Sequence, residues 1–249
     1  MLFAVEGLGR FRVRDGERVI VDSDPHATPD EVDGLLLGSV TVALAWQRGL
    51  LVLHGAAVAI DGQAVLFVGP PGCGKSSLAV ALVGLGHPLV TDDVCAVAFD
   101  PEGVPTVQPG TPFVRVWSDV LPTLGLDPGA LRRIDTRATD PAGRQKYFVD
   151  AAQPATQPLP LARIYQVLPG KDATLSITPV NPSLRLSTLV SATYHREIGD
   201  EIGGRDAYFE RITALARTTP LFRLRRPADA TRLREVARTV EVDVRGAKP

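Results

Sequence analysis

The 249-residue sequence has little net charge, only two cysteines and no long uninterrupted hydrophobic run. Its formal net charge of -1 gives no overall field that would attract nucleic acid or an acidic membrane, so neither is expected as a partner. Even the apolar run over residues 50–60 contains His54 and stops at a polar turn, so no membrane span is predicted. Any phosphate chemistry must therefore depend on local groups.

The cysteines and the N-terminal segment bear on the cellular compartment. Cys73 and Cys95 have no neighbours at metal-ligand spacing, and so few cysteines are typical of a reducing environment. The first residues lack a basic stretch followed by a long apolar one, and Glu6 interrupts them early. These features predict a cytoplasmic protein without a secretory signal.

Hydrophobic residues make up 45% of the chain, enough for one sizeable core. Residues 2–21 alternate apolar and polar positions around a turn at 14–17, which predicts a short β-hairpin. Residues 32–46 show helical spacing. We therefore predict a hairpin-and-helix extension over residues 1–49 and one α/β domain over residues 50–249.

A strand, a glycine-rich loop and a helix follow one another near the start of that domain. Two apolar runs, residues 50–60 and 64–68, flank a hairpin signal, and residues 76–85 show helical spacing that stops at Gly86. The loop between the second run and the helix reads Gly69-Pro70-Pro71-Gly72-Cys73-Gly74-Lys75-Ser76.

This loop matches the Walker A pattern G-x-x-x-x-G-K-[ST], whose backbone N–H groups surround a phosphate at the start of a helix. Lys75 is predicted to reach the terminal phosphates of ATP, and the Ser76 hydroxyl to coordinate a bridging Mg²⁺. Cys73 is predicted to be a variable loop residue and not a nucleophile, because no base is nearby. The predicted nucleotide-binding residues are Gly69, Pro70, Pro71, Gly72, Cys73, Gly74, Lys75, Ser76 and Ser77.

Two adjacent acids, Asp92 and Asp93, interrupt an apolar strand over residues 89–97. Magnesium and a nucleophilic hydroxyl both need carboxylates, so the pair is a candidate for either role. Because successive strand side chains face opposite ways, one acid could face the metal or the acceptor hydroxyl and the other away. A solvated strand end is the alternative interpretation.

His54 lies one strand upstream of the loop, where a buried histidine with a backbone partner is one interpretation. If the two apolar runs form a hairpin, His54 lies near the phosphate end of the sheet. The other histidines, His26, His87 and His195, are expected at the surface or at helix ends.

The residue pattern after residue 97 predicts loops that reach over the site, followed mostly by helices. The region up to about residue 160 is rich in proline, glycine and arginine, with short strands at 113–117 and 147–149. Helical spacing returns at residues 183–198 and 206–217, followed by a strand at 221–224 and a last helix from residue 228.

Together, Leu53-His54-Gly55-Ala56, the glycine-rich loop and residues 86–93 resemble the catalytic core of HPr kinase/phosphorylase and its relatives, over roughly residues 50–97. The resemblance implies a P-loop nucleotide-binding core similar to the HPr kinase C-terminal domain and to phosphoenolpyruvate carboxykinase. It also implies an active site of His54, Lys75, Asp92 and Asp93. In that site Ser76 and Asp92 would hold Mg²⁺, and either acid would accept the proton of the substrate serine.

The sequence also departs from the bacterial HPr enzymes, because neither their large N-terminal domain nor their second signature is found in it. It looks more like small HPr-kinase-like proteins, some of which modify lasso-peptide precursors. In this interpretation Arg115, Arg144 and Lys146 are candidates to neutralise the transferring phosphoryl group or to grip the substrate, with a solvated surface as the alternative for each.

We therefore expect an ATP- and Mg²⁺-dependent kinase that phosphorylates a serine of a protein or peptide, either an HPr-like protein or a lasso-peptide precursor. The alternatives are a nucleotide-binding ATPase or regulator without an acceptor, and a small-molecule kinase. The family resemblance also permits a homo-oligomer.

Overall fold

The computed structural model describes residues 1–134, 142–169, 174–202 and 204–246. Its N-terminal part is a three-stranded antiparallel sheet of β1 (Leu2–Val5), β2 (Gly9–Arg14) and β3 (Arg18–Ser23). The predicted hairpin corresponds to β2 and β3. A further turn at residues 6–8 folds β1 back along β2, so the extension has one strand more than the hairpin.

The helical segment predicted over residues 32–46 is irregular in its middle. It begins with α1 (Pro29–Leu35), where Thr28 and Glu31 form a reciprocal capping box, and ends with α2 (Thr41–Gln47). A π-helical turn joins the two, and Gly38 in that turn leaves the helical conformation with φ −100° and ψ −111°. The segment is therefore two short helices separated by a distorted turn.

The remaining elements are nine strands and six α-helices within the described residues. The strands are β4 (Leu51–Ile60), β5 (Gln63–Val68), β6 (Leu89–Phe99), β7 (Pro105–Val107), β8 (Phe113–Trp117), β9 (Lys146–Asp150), β10 (Leu159–Pro169), β11 (Ser176–Pro179) and β12 (Leu221–Arg226). The helices are α3 (Lys75–Val83), α4 (Leu121–Leu124), α5 (Pro182–Ala192), α6 (Arg196–Ile202), α7 (Arg205–Thr218) and α8 (Leu233–Gly246), with 3₁₀ turns at Pro128–Ala130 and Ala230–Arg232.

Seven of these strands form the central sheet, in the order β11-β12-β10-β5-β4-β6-β7, while β8 and β9 form a separate two-stranded ribbon. The long strand β10 pairs in parallel with both β5 and β12. Strand β7 pairs with β6 and also with the start of β10, so part of the sheet closes on itself. The chain therefore has a mixed α/β fold with a central sheet.

The core lies on both faces of this sheet. On one face a buried cluster includes Phe11, Trp46 and Leu53, and helices α2, α5, α6 and α7 contribute to it. On the other face a cluster that includes Phe67 and Leu78 joins α3 to α8. Since Phe11 belongs to β2, the N-terminal sheet shares a core with the central sheet.

Two expectations about the helical parts need correction. The helix predicted over residues 183–198 is interrupted between α5 and α6, where His195 adopts a positive φ of 45°. His87 lies at the end of α3, where its backbone N–H donates to the Leu82 carbonyl oxygen at 3.2 Å, so the helix-end alternative holds. The surface alternative is wrong, because α8 covers His87, which is only 7% exposed, and Glu241 lies 3.1 Å from its Nε2 atom. Among the described residues, no helix combines the length and apolar character needed to cross a membrane.

Candidate active site

The candidate site lies at one edge of the sheet, where the register brings distant parts of the chain together. Gly55 of β4 is paired with Val68, the last residue of β5, and on its other side with Asp93 of β6. The glycine-rich loop starts directly after Val68, and His54 precedes Gly55. The loop, the histidine and the acid pair are therefore neighbours for reasons of strand register alone.

Three residues of the loop have a backbone conformation that only glycine adopts readily. Gly69, Gly72 and Gly74 have φ values of 147°, 76° and 96°, and α3 begins directly after Gly74. A Cβ atom on Gly69 would lie 2.5 Å from the carbonyl oxygen of Val167 in β10, so the loop passes close to the neighbouring strand. The first N–H groups of α3 have no partner within the helix, which suits them to bind an anion.

Lys75 and Ser76 connect this loop to its surroundings. Lys75 is 6% exposed, and its ammonium group donates hydrogen bonds to the carbonyl oxygens of Gly69 at 2.9 Å and Pro70 at 3.2 Å. The Ser76 hydroxyl donates to Oδ1 of Asp92 at 2.9 Å. The start of α3 is thus joined directly to the acid pair.

Both acids belong to one hydrogen-bonded network with Arg115 of β8. Oδ2 of Asp92 accepts a hydrogen bond from the Arg115 backbone N–H at 3.2 Å, while the Arg115 guanidinium forms an ion pair with Asp93. Asp93 has a positive φ of 72°, which breaks the strand alternation. Strand alternation therefore does not describe this pair, and the expected division of roles between the two acids stays a prediction.

The two acids differ in their electrostatics. Asp92 is 8% exposed, and burial, reinforced by the charge of Asp93, raises its pKa to about 6. Burial would also raise the pKa of Asp93, but the hydrogen bond from His54 and the charges of Arg115 and Lys146 more than offset it and lower that pKa. Asp93 is thus ionised at neutral pH. Asp92 becomes ionised only above about pH 6, and a nearby cation would offset the cost of its buried charge.

His54 satisfies parts of both interpretations offered for it. Its Nδ1 atom lies 3.1 Å from Oδ1 of Asp93 and 3.3 Å from the Asp93 backbone oxygen. Because both neighbours of Nδ1 are acceptor oxygens, the tautomer with hydrogen on Nδ1 fits this site, and Nδ1 then donates a hydrogen bond to Asp93. The ring also packs against Tyr194, with centroids 4.8 Å apart. The histidine therefore has a backbone partner and at the same time orients Asp93.

A cavity of about 940 Å³ opens in front of these groups. His54, Lys75 and Asp93 line it, as do all the predicted loop residues except the buried Cys73. The three predicted cations Arg115, Arg144 and Lys146 border it as well. Arg144 and Lys146 each lie 4.6 Å from the centre of the Trp117 ring, and Arg144 is 3.5 Å from Asp119. Asp92 does not line this cavity and is joined to it through Ser76, and the roles of all these residues stay predictions.

Sequence reasoning missed several residues of the cavity wall, among them Tyr194 and Arg226. Tyr194 follows α5, and Arg226 ends β12 and donates from Nε to the carbonyl oxygen of Cys73 at 2.8 Å. Cys73 and Arg226 are 153 positions apart, so no local pattern links them. The available signal was a pair of arginines at the end of a predicted strand, where α/β proteins bind ligands.

The oxygen atoms beside the loop fit a magnesium ion. The Ser76 hydroxyl and the Asp92 carboxylate are adjacent hard ligands, and Mg²⁺ in nucleotide sites usually takes only one or two protein ligands beside phosphates and water. Accordingly, the described residues contain no group of three or more His, Cys, Asp or Glu residues that would hold a metal alone. Cys73 does not join the set, because burial raises its thiol pKa.

Comparison with known proteins singles out this part of the chain. Residues 49–104 match the family model described as the HPr Serine kinase C-terminal domain. HPr kinase/phosphorylase from Xanthomonas campestris pv. campestris (strain B100) is 33% identical over 154 residues, covering 57% of this chain and 46% of the relative. This part of the chain is similar to HPr kinases.

Another curated relative overlaps with this chain to the same extent. HPr kinase/phosphorylase from Xanthomonas oryzae pv. oryzae (strain PXO99A) is also 33% identical to this chain over 154 residues, and the match covers 46% of that relative. The chain thus spans about half the length of the curated relatives it matches. The solved Hpr(Ser) kinase/phosphatase from Coxiella burnetii is 13% identical, with a TM-score of 0.35. That comparison covers 78% of this chain and 99% of the other.

Proposed function

We propose that this chain is an ATP- and Mg²⁺-dependent kinase that transfers the γ-phosphoryl group of ATP to a serine hydroxyl of a protein or peptide. The observation that carries the proposal is the single cavity bordered by the glycine-rich loop on one side and the Asp93–His54–Arg115 cluster on the other. Residues 50–249 would form the P-loop kinase domain, similar in its core to the HPr kinase C-terminal domain and phosphoenolpyruvate carboxykinase. Residues 1–49 would be an extension packed against it.

The loop and Lys75 would bind the phosphates. The N–H groups at the start of α3 point toward an anion at the loop, and the helix dipole favours negative charge there. Lys75 would exchange its bonds to the carbonyl oxygens of Gly69 and Pro70 for bonds to terminal phosphate oxygens. This exchange needs only rotation of a flexible side chain that already lines the cavity.

Ser76 and Asp92 would hold the magnesium ion. When bound, Mg²⁺ neutralises charge on the phosphate chain. A cation beside Asp92 would favour its ionised form and so reverse the effect of burial, which holds its pKa at about 6. Burial thus suits Asp92 to be a metal ligand more than a free carboxylate.

Asp93 would be the base, because it borders the cavity and is ionised at neutral pH. As the serine oxygen bonds to the γ-phosphorus, the serine O–H bond breaks and its proton passes to Asp93, while the bond from that phosphorus to the bridging oxygen breaks and releases ADP. His54 and Arg115 would orient the carboxylate. Arg115, Arg144 and Lys146 would neutralise the transferring group or grip the acceptor.

An HPr-like protein and a lasso-peptide precursor are the acceptors to test first. The curated relatives are named HPr kinase/phosphorylase, which favours the first, and the resemblance to small HPr-kinase-like proteins favours the second. A cytoplasmic location and a homo-oligomer stay predictions. No nucleic-acid or membrane partner is part of the proposal.

The proposal is tested by incubating the purified chain with γ-labelled ATP, Mg²⁺ and each candidate acceptor, followed by intact mass spectrometry. The expected product carries one added phosphoryl group on serine. Lys75→Ala should lower the transfer rate by on the order of 100-fold, as loss of one preorganised charge typically does. The control Arg238→Ala removes an exposed cation on α8 and should leave the rate unchanged. Label released only as inorganic phosphate, with every acceptor unmodified, would favour an ATPase instead.

A further inference from the structure

Arg226 lies against the glycine-rich loop, although it comes from the far end of the chain. It is the last residue of β12, and its guanidinium donates from Nε to the carbonyl oxygen of Cys73 at 2.8 Å. Its Nη1 atom donates to the carbonyl oxygen of Pro227 at 3.0 Å. The side chain is half-buried and borders the same cavity as Lys75.

The guanidinium covers the last residue before α3. A Cβ atom on Gly74 would lie 2.6 Å from Nη2 of Arg226 and 2.9 Å from its central carbon. The positive φ of 96° already favours glycine at that position, and the guanidinium occupies the space beside it. This contact also places a positive group at the N-terminus of a helix, where the dipole disfavours cations.

Neither cation at the loop has a carboxylate partner in the described parts of the chain. Lys75 bonds to the carbonyl oxygens of Gly69 and Pro70, and Arg226 to those of Cys73 and Pro227. Burial makes the charged form of Arg226 less favourable and so lowers the pKa of its guanidinium. Two partly desolvated cations and a helix N-terminus therefore meet at one place, and a polyanion offsets all three.

We propose that Arg226 is a further phosphate-binding residue of the nucleotide site, one that the loop motif does not contain. The inference rests on the proposed nucleotide site and adds a ligand to it. Because Arg226 is tied to the loop, whereas Asp93, His54 and Arg115 form a separate cluster, it serves ground-state binding of ADP and ATP alike. Its loss should raise the KM for ATP more than it lowers kcat.

The test is calorimetric titration of the full chain with ADP in the presence of Mg²⁺, and separately with inorganic tripolyphosphate. Arg226→Ala should raise both dissociation constants by about 10- to 100-fold, the usual effect of losing a hydrogen bond to a charged group. Arg225→Ala is the matched control, because it removes the same charge from the exposed neighbouring position of the same strand. Its affinities should equal those of the wild type.

Two conservative variants separate phosphate binding from support of the loop. Arg226→Lys keeps the charge, whereas Arg226→Gln keeps a neutral donor for the Cys73 carbonyl oxygen. We expect the lysine variant to bind ADP several-fold more tightly than the glutamine variant, and this comparison decides the matter even if the alanine variant fails to fold. Equal ADP affinity of the lysine and glutamine variants, or an unchanged ADP affinity of Arg226→Ala, would overturn the inference. In either case, ADP binding by the wild type would leave the proposed function standing. A wild-type chain that binds no nucleotide would overturn both.

Discussion

Replacing Asp92 with asparagine should make the protein more stable at alkaline pH while removing a predicted metal ligand. The carboxyl group is 8% exposed, and its pKa is about 6, against an ordinary value of 3.8. A group with these two values lowers the free energy of unfolding by about 3 kcal/mol once the pH exceeds both. Asparagine carries no charge and so avoids this cost.

The size of the stability gain in Asp92→Asn depends on the hydrogen bonds that Asp92 makes. Asparagine can accept the Arg115 backbone N–H with its oxygen and donate its amide to the Ser76 hydroxyl, so both present contacts survive. These bonds are weaker with a neutral partner than with a carboxylate, which leaves an expected net gain of about 1–3 kcal/mol. For a chain of this size that corresponds to a rise in Tm of about 2–10 °C.

The effect should depend on pH in a defined direction. Well below pH 3.8 Asp92 is protonated in both the folded and the unfolded chain, so the buried charge costs nothing there and the variant loses its advantage. As the pH rises from 4 to above 6, the unfolded chain releases the Asp92 proton first, and the wild type loses stability relative to the variant. Urea or thermal unfolding at pH 4 and pH 8, with EDTA present to exclude cations, measures this difference.

The neighbouring acid supplies the matched control. The pKa of Asp93 is lowered despite its burial, because His54, Arg115 and Lys146 favour its ionised form. Asp93→Asn should therefore destabilise the protein at pH 8, opposite in sign to Asp92→Asn. If Asp92→Asn is as stable as the wild type or less stable at pH 8, the buried charge assigned to Asp92 is wrong.

Two further predictions concern the loop and the strand beside it. Cys73 and Cys95 are buried thiols with raised pKa values, so neither should react with iodoacetamide at pH 7.5 until denaturant is added, and fast labelling of the native protein would contradict the loop geometry. Gly55→Ala should lower the free energy of unfolding by about 1–3 kcal/mol in urea titrations, because the new Cβ would lie 2.5 Å from the Phe67 carbonyl oxygen. Gly84→Ala, whose nearest neighbours lie at 3.4 Å, is the control and should not destabilise; equal effects of the two would contradict the packing at Gly55.

The parts of the fold that depend on neighbouring residues were predictable from the sequence. The turn at Asp61 and Gly62 predicted the pairing of β4 with β5, and the glycine-rich loop with its helix followed from local spacing. The pairing of β4 with β5 is confirmed, and α3 ends within a few residues of its predicted end. Local steric and hydrogen-bonding rules suffice for such elements.

Long-range pairing explains most of what was missed. Strand β10 lies in the middle of the sheet between β5 and β12, yet both partners are far from it in sequence, and Pro160 and Arg163 obscure its apolar pattern. The contact between Arg226 and the loop depends on that same strand order. Sequence periodicity carries no information about which strands become neighbours.

Local strain changes the backbone geometry expected for the acid pair. Strand alternation predicts opposite directions for Asp92 and Asp93, but Asp93 adopts a positive φ of 72° and both acids contact Arg115. Nothing in the residue types signals such a conformation. Outliers of this kind are stabilised by their surroundings, here by the ion pairs to His54 and Arg115, and they often occur at functional sites.

The most direct test of the account separates nucleotide binding from phosphoryl transfer in the Asp93→Asn variant. The measurement compares, at a temperature where both proteins are folded, the dissociation constant for ATP with Mg²⁺ and the rate of serine phosphorylation. We predict an affinity within a few-fold of the wild type and a transfer rate lower by about 100-fold or more, because Asp93 is assigned to the acceptor hydroxyl and not to the phosphates. An unchanged transfer rate, or a loss of ATP binding that alone accounts for the loss of transfer, would contradict it.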